Sequence, residues 1–305
     1  MSSATSRPIA PLDFLQLVSV ALIWGINNVA AKVALGELTP FVVVACRFAL
    51  VLALVGWRIK PIPRAKLPAF LLMLACVGPL HFGVQYVGLS LAHDLAPMVV
   101  AMQLWAPASV LFAMLLLGER AGPLRLAGVA IAFAGVATMA FDPVVFRQLT
   151  ALAMVAAAAC AYGLGTVMVR WIGAEMDVWS MQGWIALACA PAMFAASLIF
   201  EPNAFSAAAH ASWIAWACIG FGALVSSIVA NAFMFRLVQR YEVSRTTPYF
   251  LATPAISFSL AALILGDHIT ARIIAGAAIT MSGVALVALA ERRFKTVAQG
   301  QLEST

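Results

Sequence analysis

The chain has 305 residues, of which 64% are hydrophobic and 10% charged, with a mean hydropathy of +1.01 and a net charge of +6. So little charge cannot cover soluble domains of this size, and the apolar residues come in runs of about twenty, enough to cross ~30 Å of hydrocarbon at ~1.5 Å per residue. The basic residues are spread along the ends of these runs and form no contiguous patch, which excludes nucleic acid as a partner and points to the lipid bilayer. Breaks at charged, Pro and Gly clusters predict ten helical spans near 12–34, 40–58, 67–89, 94–117, 122–141, 150–172, 178–199, 211–236, 243–266 and 270–290. The first run carries two asparagines and only Arg7 as a basic lead-in, so it reads as a span and not as a cleaved leader. Residues 1–11 precede it, and a polar tail, 291–305, is expected to be disordered.

Lys and Arg give the orientation. With the N-terminus inside, the inner segments hold Arg7, Arg58, Lys60, Arg64, Lys66, Arg120, Arg125, Arg170, Arg236, Arg240, Arg245, Arg292, Arg293 and Lys295, fourteen in all. The outer segments hold Lys32, Arg147 and Arg272, and Arg47 lies within a span. The excess predicts that both termini are cytoplasmic. The five cysteines all lie inside apolar runs without metal-ligand spacing, so no metal and no cofactor is expected.

The sequence repeats itself. "WGINNVAAK", beginning at Trp24, resembles "YGLGTVMVR", beginning at Tyr162. "APASVLFAMLLLGERAGPLRLAGVAIAFAGVA", from Ala106, resembles "TPAISFSLAALILGDHITARIIAGAAITMSGVA", from Thr253. Pro107 falls opposite Pro254, Gly118 and Glu119 opposite Gly266 and Asp267, Gly128 opposite Gly276, and Gly135 opposite Gly283. Residues 12–141, spans one to five, thus correspond to 150–290, spans six to ten. An odd number of spans per repeat turns the halves to opposite orientations, an arrangement found in secondary transporters, whose substrate sites lie between the halves near mid-membrane. The expected fold is an all-α membrane protein of ten helices in two inverted five-helix repeats around a central cavity.

These features resemble the drug/metabolite transporter superfamily, and specifically its proteins with two EamA-type repeats of five helices. The likeness rests on "WGINNVAAKVAL", "PFVVVACRFAL" and the "P…LLLGER…G…AG" and "P…LILGD…G…SG" endings, and covers nearly all of Leu12 to Ala290. It implies a multi-pass protein of the bacterial inner membrane that exports small metabolites. The branch exporting aromatic and other hydrophobic amino acids is the nearest likeness. The second repeat departs from the first where Ile185 stands in the place of Arg47 and Asp267 in that of Glu119.

Polar groups within a membrane span are costly unless they face other helices or water, which makes them the candidates for a transport path. Trp24 and Asn28 share a helix face with Lys32, and Tyr162 and Thr166 share the equivalent face with Arg170. Gly25 and Gly163 sit beside the aromatics, where a missing side chain admits another backbone. His81 and Gln85 lie one turn apart in span three, and His81 is the candidate for a group that changes protonation. In span four, Met102, Gln103 and Trp105 precede Pro107, which should kink the helix and free a carbonyl near Gln103. Span nine repeats that device with Tyr249, Phe250 and Pro254, and span eight adds Ser227 and Asn231. Lys32 and Arg170 read first as cations reaching the interface, Arg47 as structural, and Glu119 and Asp267 as parts of turns and caps.

All twelve acidic residues fall at span ends or in loops. The cavity is therefore expected to be polar but neutral, walled by Trp, Tyr, Phe and Met, and suited to a zwitterionic or amphipathic solute. The leading expectation is alternating-access export of neutral amino acids, with efflux of lipophilic drugs as the near neighbour. A channel and an intramembrane enzyme are remote: there is no selectivity-filter sequence, no HExxH and no G-x-S-x-G. No obligatory protein partner is expected.

Overall fold

The structure, a computed structural model, describes residues 10–62, 66–119, 121–172, 177–241 and 252–302, with side chains as far as Ala290 apart from those of 170–172, 235 and 238–239. It is all helical. Among the described residues nine helical stretches are long and apolar enough to cross a membrane: Pro11–Leu35, Pro40–Arg58, Leu67–Leu91, Ala96–Leu117, Pro123–Ala140, Leu149–Val169, Val178–Phe200, Trp213–Met234 and Ala271–Ala290. A shorter apolar helix, Ala252–Leu265, occupies the later part of the expected ninth span. The beginning of that span, with Tyr249 and Phe250, lies outside the described residues. Large apolar side chains such as Leu115, Leu263 and Ile199 point outward, as suits helices that face hydrocarbon.

In chain order the helices are α1 (Pro11–Leu35), α2 (Pro40–Val55), α3 (Leu67–Ala75), α4 (His81–Leu91), α5 (Ala96–Met102), α6 (Trp105–Leu117), α7 (Pro123–Ala140), α8 (Pro143–Phe146), α9 (Leu149–Ile172), α10 (Val178–Phe200), α11 (Ala204–His210), α12 (Trp213–Gly220), α13 (Asn231–Arg240), α14 (Ala252–Leu260) and α15 (Ala271–Leu302). Proline opens α1, α2 and α7, where its missing N–H costs nothing. Gly118 and Gly266, a pair matched in the sequence, both take left-handed backbone angles (φ 65° and 72°) where the chain leaves α6 and the segment after α14. These are the turns that the "GER" and "GDH" motifs suggested. Helix α15 continues through 291–302. That segment holds good helix formers (Glu, Arg, Lys, Ala, Gln) and no proline, so it can extend the helix that precedes it.

Three stretches are wider, π-type turns: Cys76–Leu80, Phe221–Ala230 and Ala261–Leu265. The first joins α3 to α4 around Gly78 and Pro79, and Gly78 has non-helical angles (φ −111°, ψ −106°). The second joins α12 to α13. Both lead into helices that carry polar residues to the interior.

Contacts across the bundle are reciprocal. Gly128 of α7 packs against Gly283 of α15, and Gly135 against Gly276, so each glycine meets the sequence counterpart of the other. Gly25 of α1 packs against Ile256 and Ser257 of α14. Gly163 of α9 packs against Trp105, Ala108 and Ser109 of α6, where a Cβ would lie 2.7 Å from the Trp105 oxygen. Helices α2 and α10 likewise pair along their lengths. Small residues make such close approach possible, and in lipid this packing is a principal source of helix association.

Candidate functional site

A large cavity is walled by α1, α2, α4, α5, α6, α9, α10 and the α12–α13 region, with a volume of about 440 Å³. This is within the usual range for small-molecule sites. Nine sequence candidates line it: Trp24, Asn28, His81, Gln85, Met102, Gln103, Trp105, Tyr162 and Asn231. Thr166 is not among the lining residues, and its hydroxyl donates to the Gly163 carbonyl at 2.7 Å within its own helix. A threonine on a helix can satisfy itself in this way. Asn28 instead donates to Ser257 Oγ at 2.9 Å, and Ser257 donates to the Gly25 carbonyl at 3.1 Å, tying α1 to α14.

The turn at Gly78 delivers His81 into the interior at the start of α4. Its Nδ1 donates to the Ala158 carbonyl of α9 at 2.8 Å, so this nitrogen carries the proton and Nε2 is left for other partners. The imidazole lies 4.7 Å from the rings of Phe82 and Tyr162, and Tyr162 meets Trp105 edge-on at 5.8 Å. The result is a continuous aromatic wall, in which the His81–Phe82 and Trp105–Tyr162 pairs have the edge-to-face geometry that ring quadrupoles favour and His81 lies tilted against Tyr162. Gln85, one turn on, directs Nε2 to the Met102 sulfur at 3.4 Å, while its buried Oε1 has no partner.

The break in span four is real but lies ahead of Pro107. Helix α5 stops at Met102 and α6 starts at Trp105. The carbonyl of Gln103 is not free, as the proline argument expected: it accepts from Ala106 N at 3.3 Å. The chain tightens to bonds between residues three apart, which gives that carbonyl a donor ahead of the proline. The corresponding carbonyl before Pro254 lies outside the described residues.

The expectation of a neutral cavity does not hold. Arg47 lines it, buried, from the middle of α2. Its Nη1 donates to the Tyr86 hydroxyl at 2.7 Å, and its Nη2 and Nε to Ser227 Oγ at 3.0 and 3.2 Å. The guanidinium also lies over the rings of Phe48 and Phe82, 5.9 and 5.8 Å from their centroids. The wide turns of Phe221–Ala230 prepare the Ser227 partner. Ser227 Oγ gives its proton to the Gly222 carbonyl at 3.0 Å, which points its lone pairs at the arginine. The Ser227 carbonyl accepts from Gln182 Nε2 of α10. Sequence reasoning recognised Arg47 as a cation within a span but did not place it on the cavity. The signal was present: it is the one charged residue in the middle of an apolar run. Asn27 and Gln182 are further polar lining residues that the sequence did not single out, and Tyr86, which follows Gln85 in span three, lines the cavity as well.

Lys32 lies apart from the cavity. Its Nζ donates to the carbonyls of Leu89, at 2.9 Å, and Ala92, which capture a cation at the C-terminal end of α4. Asp267 accepts from Ala96 N at 2.7 Å at the start of α5, and Glu119 sits 3.9 Å from Arg125. The side chain of Arg170 is outside the described residues.

Comparison with known proteins agrees with this architecture. The EamA-like transporter family matches the chain twice, over residues 13–141 and 149–289. The "Probable amino-acid metabolite efflux pump" of Escherichia coli (strain K12) is 26% identical over 290 residues, covering 92% of this chain and 96% of that one. The pump of the same name from Salmonella typhimurium (strain LT2) is 26% identical over 283 residues, covering 89% and 92%. A crystal structure of another protein, 21% identical, superposes with a TM-score of 0.59 over 93% of this chain and 98% of that one, which shows a shared fold.

Proposed function

From the premise that this chain belongs to the EamA-like transporter family, we propose that it exports small amphipathic solutes, foremost aromatic and other hydrophobic amino acids, across the bacterial inner membrane by alternating access. One observation carries the reading: an interior cavity of about 440 Å³ combines an aromatic wall of Trp24, Trp105 and Tyr162 with the polar groups of Asn28, His81, Gln85 and Gln103. Such a surface suits a solute with an apolar side chain and a polar head. The two relatives named as amino-acid metabolite efflux pumps support the substrate class.

The transport cycle in this reading uses ten helices in two inverted halves, 12–141 and 150–290, with both termini cytoplasmic. The reciprocal contacts support it, because a two-fold relation makes residue i touch j and the counterpart of j touch that of i. Gly128 with Gly283 and Gly135 with Gly276 are such a set, and Gly25 on α14 with Gly163 on α6 is another. With the site at the junction of the halves, rocking one against the other exposes it alternately to each side.

The test is efflux from proteoliposomes. Vesicles containing the purified protein should release preloaded aromatic or aliphatic amino acids faster than empty vesicles. Equal release for every amino acid, together with transport of cationic dyes, would favour lipophilic-drug efflux by the same scaffold.

A further inference from the structure

The polar end of the cavity is built asymmetrically. Arg47 stands on α2, while its counterpart on α10 is Ile185, which lines the same cavity. Among the described residues no carboxylate lies within ion-pair distance of Arg47. A buried guanidinium without a counter-ion is expensive at membrane depth, and its five N–H donors need acceptors. Among the described residues Tyr86 and Ser227 take three of them, which leaves two unspent. Tyr86, having accepted from Arg47, keeps its own hydroxyl proton to donate. Gln85, the residue before Tyr86, also lines the cavity, and its buried Oε1 is an acceptor with no donor. The cavity thus has unspent donors around a positive charge, with an unsatisfied buried acceptor on the residue next to Tyr86.

We propose that Arg47 and Tyr86 hold the free carboxylate of the transported solute, with Gln85 Oε1 accepting from its ammonium group, so that an unmodified carboxylate is the entry requirement for this transporter. The proposal rests on the export reading above and narrows it to carboxylates. A bound carboxylate supplies the counter-charge that Arg47 lacks and accepts charge-assisted N–H and O–H bonds, the strong class of hydrogen bond. The ammonium contact is a bond to a neutral amide and contributes less. The aromatic wall takes the side chain and discriminates among solutes mainly by size.

The experiment compares matched compounds in proteoliposomes: phenylalanine, its amide, its amino alcohol, and 3-phenylpropanoate, which lacks the amine. Wild-type protein should carry phenylalanine at least about tenfold faster than the amide or the amino alcohol, the loss expected when a charged hydrogen-bonding partner is removed. It should carry 3-phenylpropanoate more slowly than phenylalanine but faster than the amide. In Arg47→Gln the acid-to-amide ratio should fall towards one, and Arg47→Lys should keep a ratio above that of the glutamine variant. The ratio reports recognition and is independent of how much folded protein is present. If Arg47→Gln does not fold, the wild-type series still decides, and Arg47→Lys, which keeps the charge but not the forked donors, should show an acid-to-amide ratio above one and below that of the wild type. An amide carried as fast as the acid by wild-type protein, or a ratio unchanged in Arg47→Gln, overturns the proposal and leaves amino-acid export standing. Wild-type protein that carries none of these compounds or any other amino acid overturns the export reading, and this one with it.

Discussion

The carbonyl oxygen of Gly128 lies 2.7 Å from the position a Cβ on Gly283 would occupy, so the backbones of α7 and α15 touch with no side chain between them. The same seam continues at Gly135 and Gly276, where again a Cβ would meet a carbonyl oxygen at 2.7 Å. Backbone cannot yield as the end of a flexible side chain can. Gly283→Leu should therefore force α7 and α15 apart and cost about 1–3 kcal/mol or more, as overpacking of tight interfaces does. Thermal melting of the purified protein in detergent would show a lower transition temperature. A melting curve identical to that of the wild type would refute the seam.

His81 and Trp105 build the aromatic wall against Tyr162. His81→Ala and Trp105→Ala should each lower amino-acid efflux from proteoliposomes several-fold while the protein still inserts and elutes as a single species. Gln85→Ala should behave likewise. Wild-type rates in all three would move the transport path away from this cavity.

Lys32 binds the C-terminal end of α4 and lines no part of the cavity. Lys32→Met removes a cation from two carbonyls at a helix C-terminus, an effect of about 1–2 kcal/mol in a partly buried setting. The variant should melt at a lower temperature yet retain the order in which substrates are preferred. A changed preference at unchanged stability would place Lys32 on the transport path instead.

Asp267, in the turn after α14, should make stability depend on pH. Burial chiefly, and the nearby Asp94 carboxylate, hold its carboxyl above the ordinary range, against the N–H groups of Ala96 and Leu95 and the charge of Lys32. The folded chain therefore holds this proton more readily than the unfolded chain. The stabilisation is fully present below the ordinary carboxylate value of about 4 and is lost as pH rises through the higher folded value. Asp267→Asn keeps an acceptor for Ala96 N but cannot ionise. Compared with this variant, the wild type should lose melting temperature as pH climbs from about 4 towards neutrality. Parallel profiles would rule the effect out.

The sequence by itself determined that this chain lives in a membrane, that it is helical, and that it is written twice. Apolar runs of span length, breaks at Pro and Gly, and matched positions such as Gly118 and Gly266 are local features, and local features survive in one dimension. It also picked out most of the polar cavity residues, because a polar group inside an apolar run stands out wherever the run is packed. Only the tertiary structure decided how those groups are used. Thr166 and Asn28 occupy matching positions, yet one is satisfied within its helix and the other binds across to Ser257. Gln103 keeps its carbonyl paired because the helix tightens before Pro107. Arg47 gains its meaning from Tyr86 and Ser227, residues 39 and 180 positions away, and from the absence of a carboxylate beside it among the described residues. Which distant groups surround a charge is set by packing, and how far they offset the cost of taking that charge out of water depends on those neighbours.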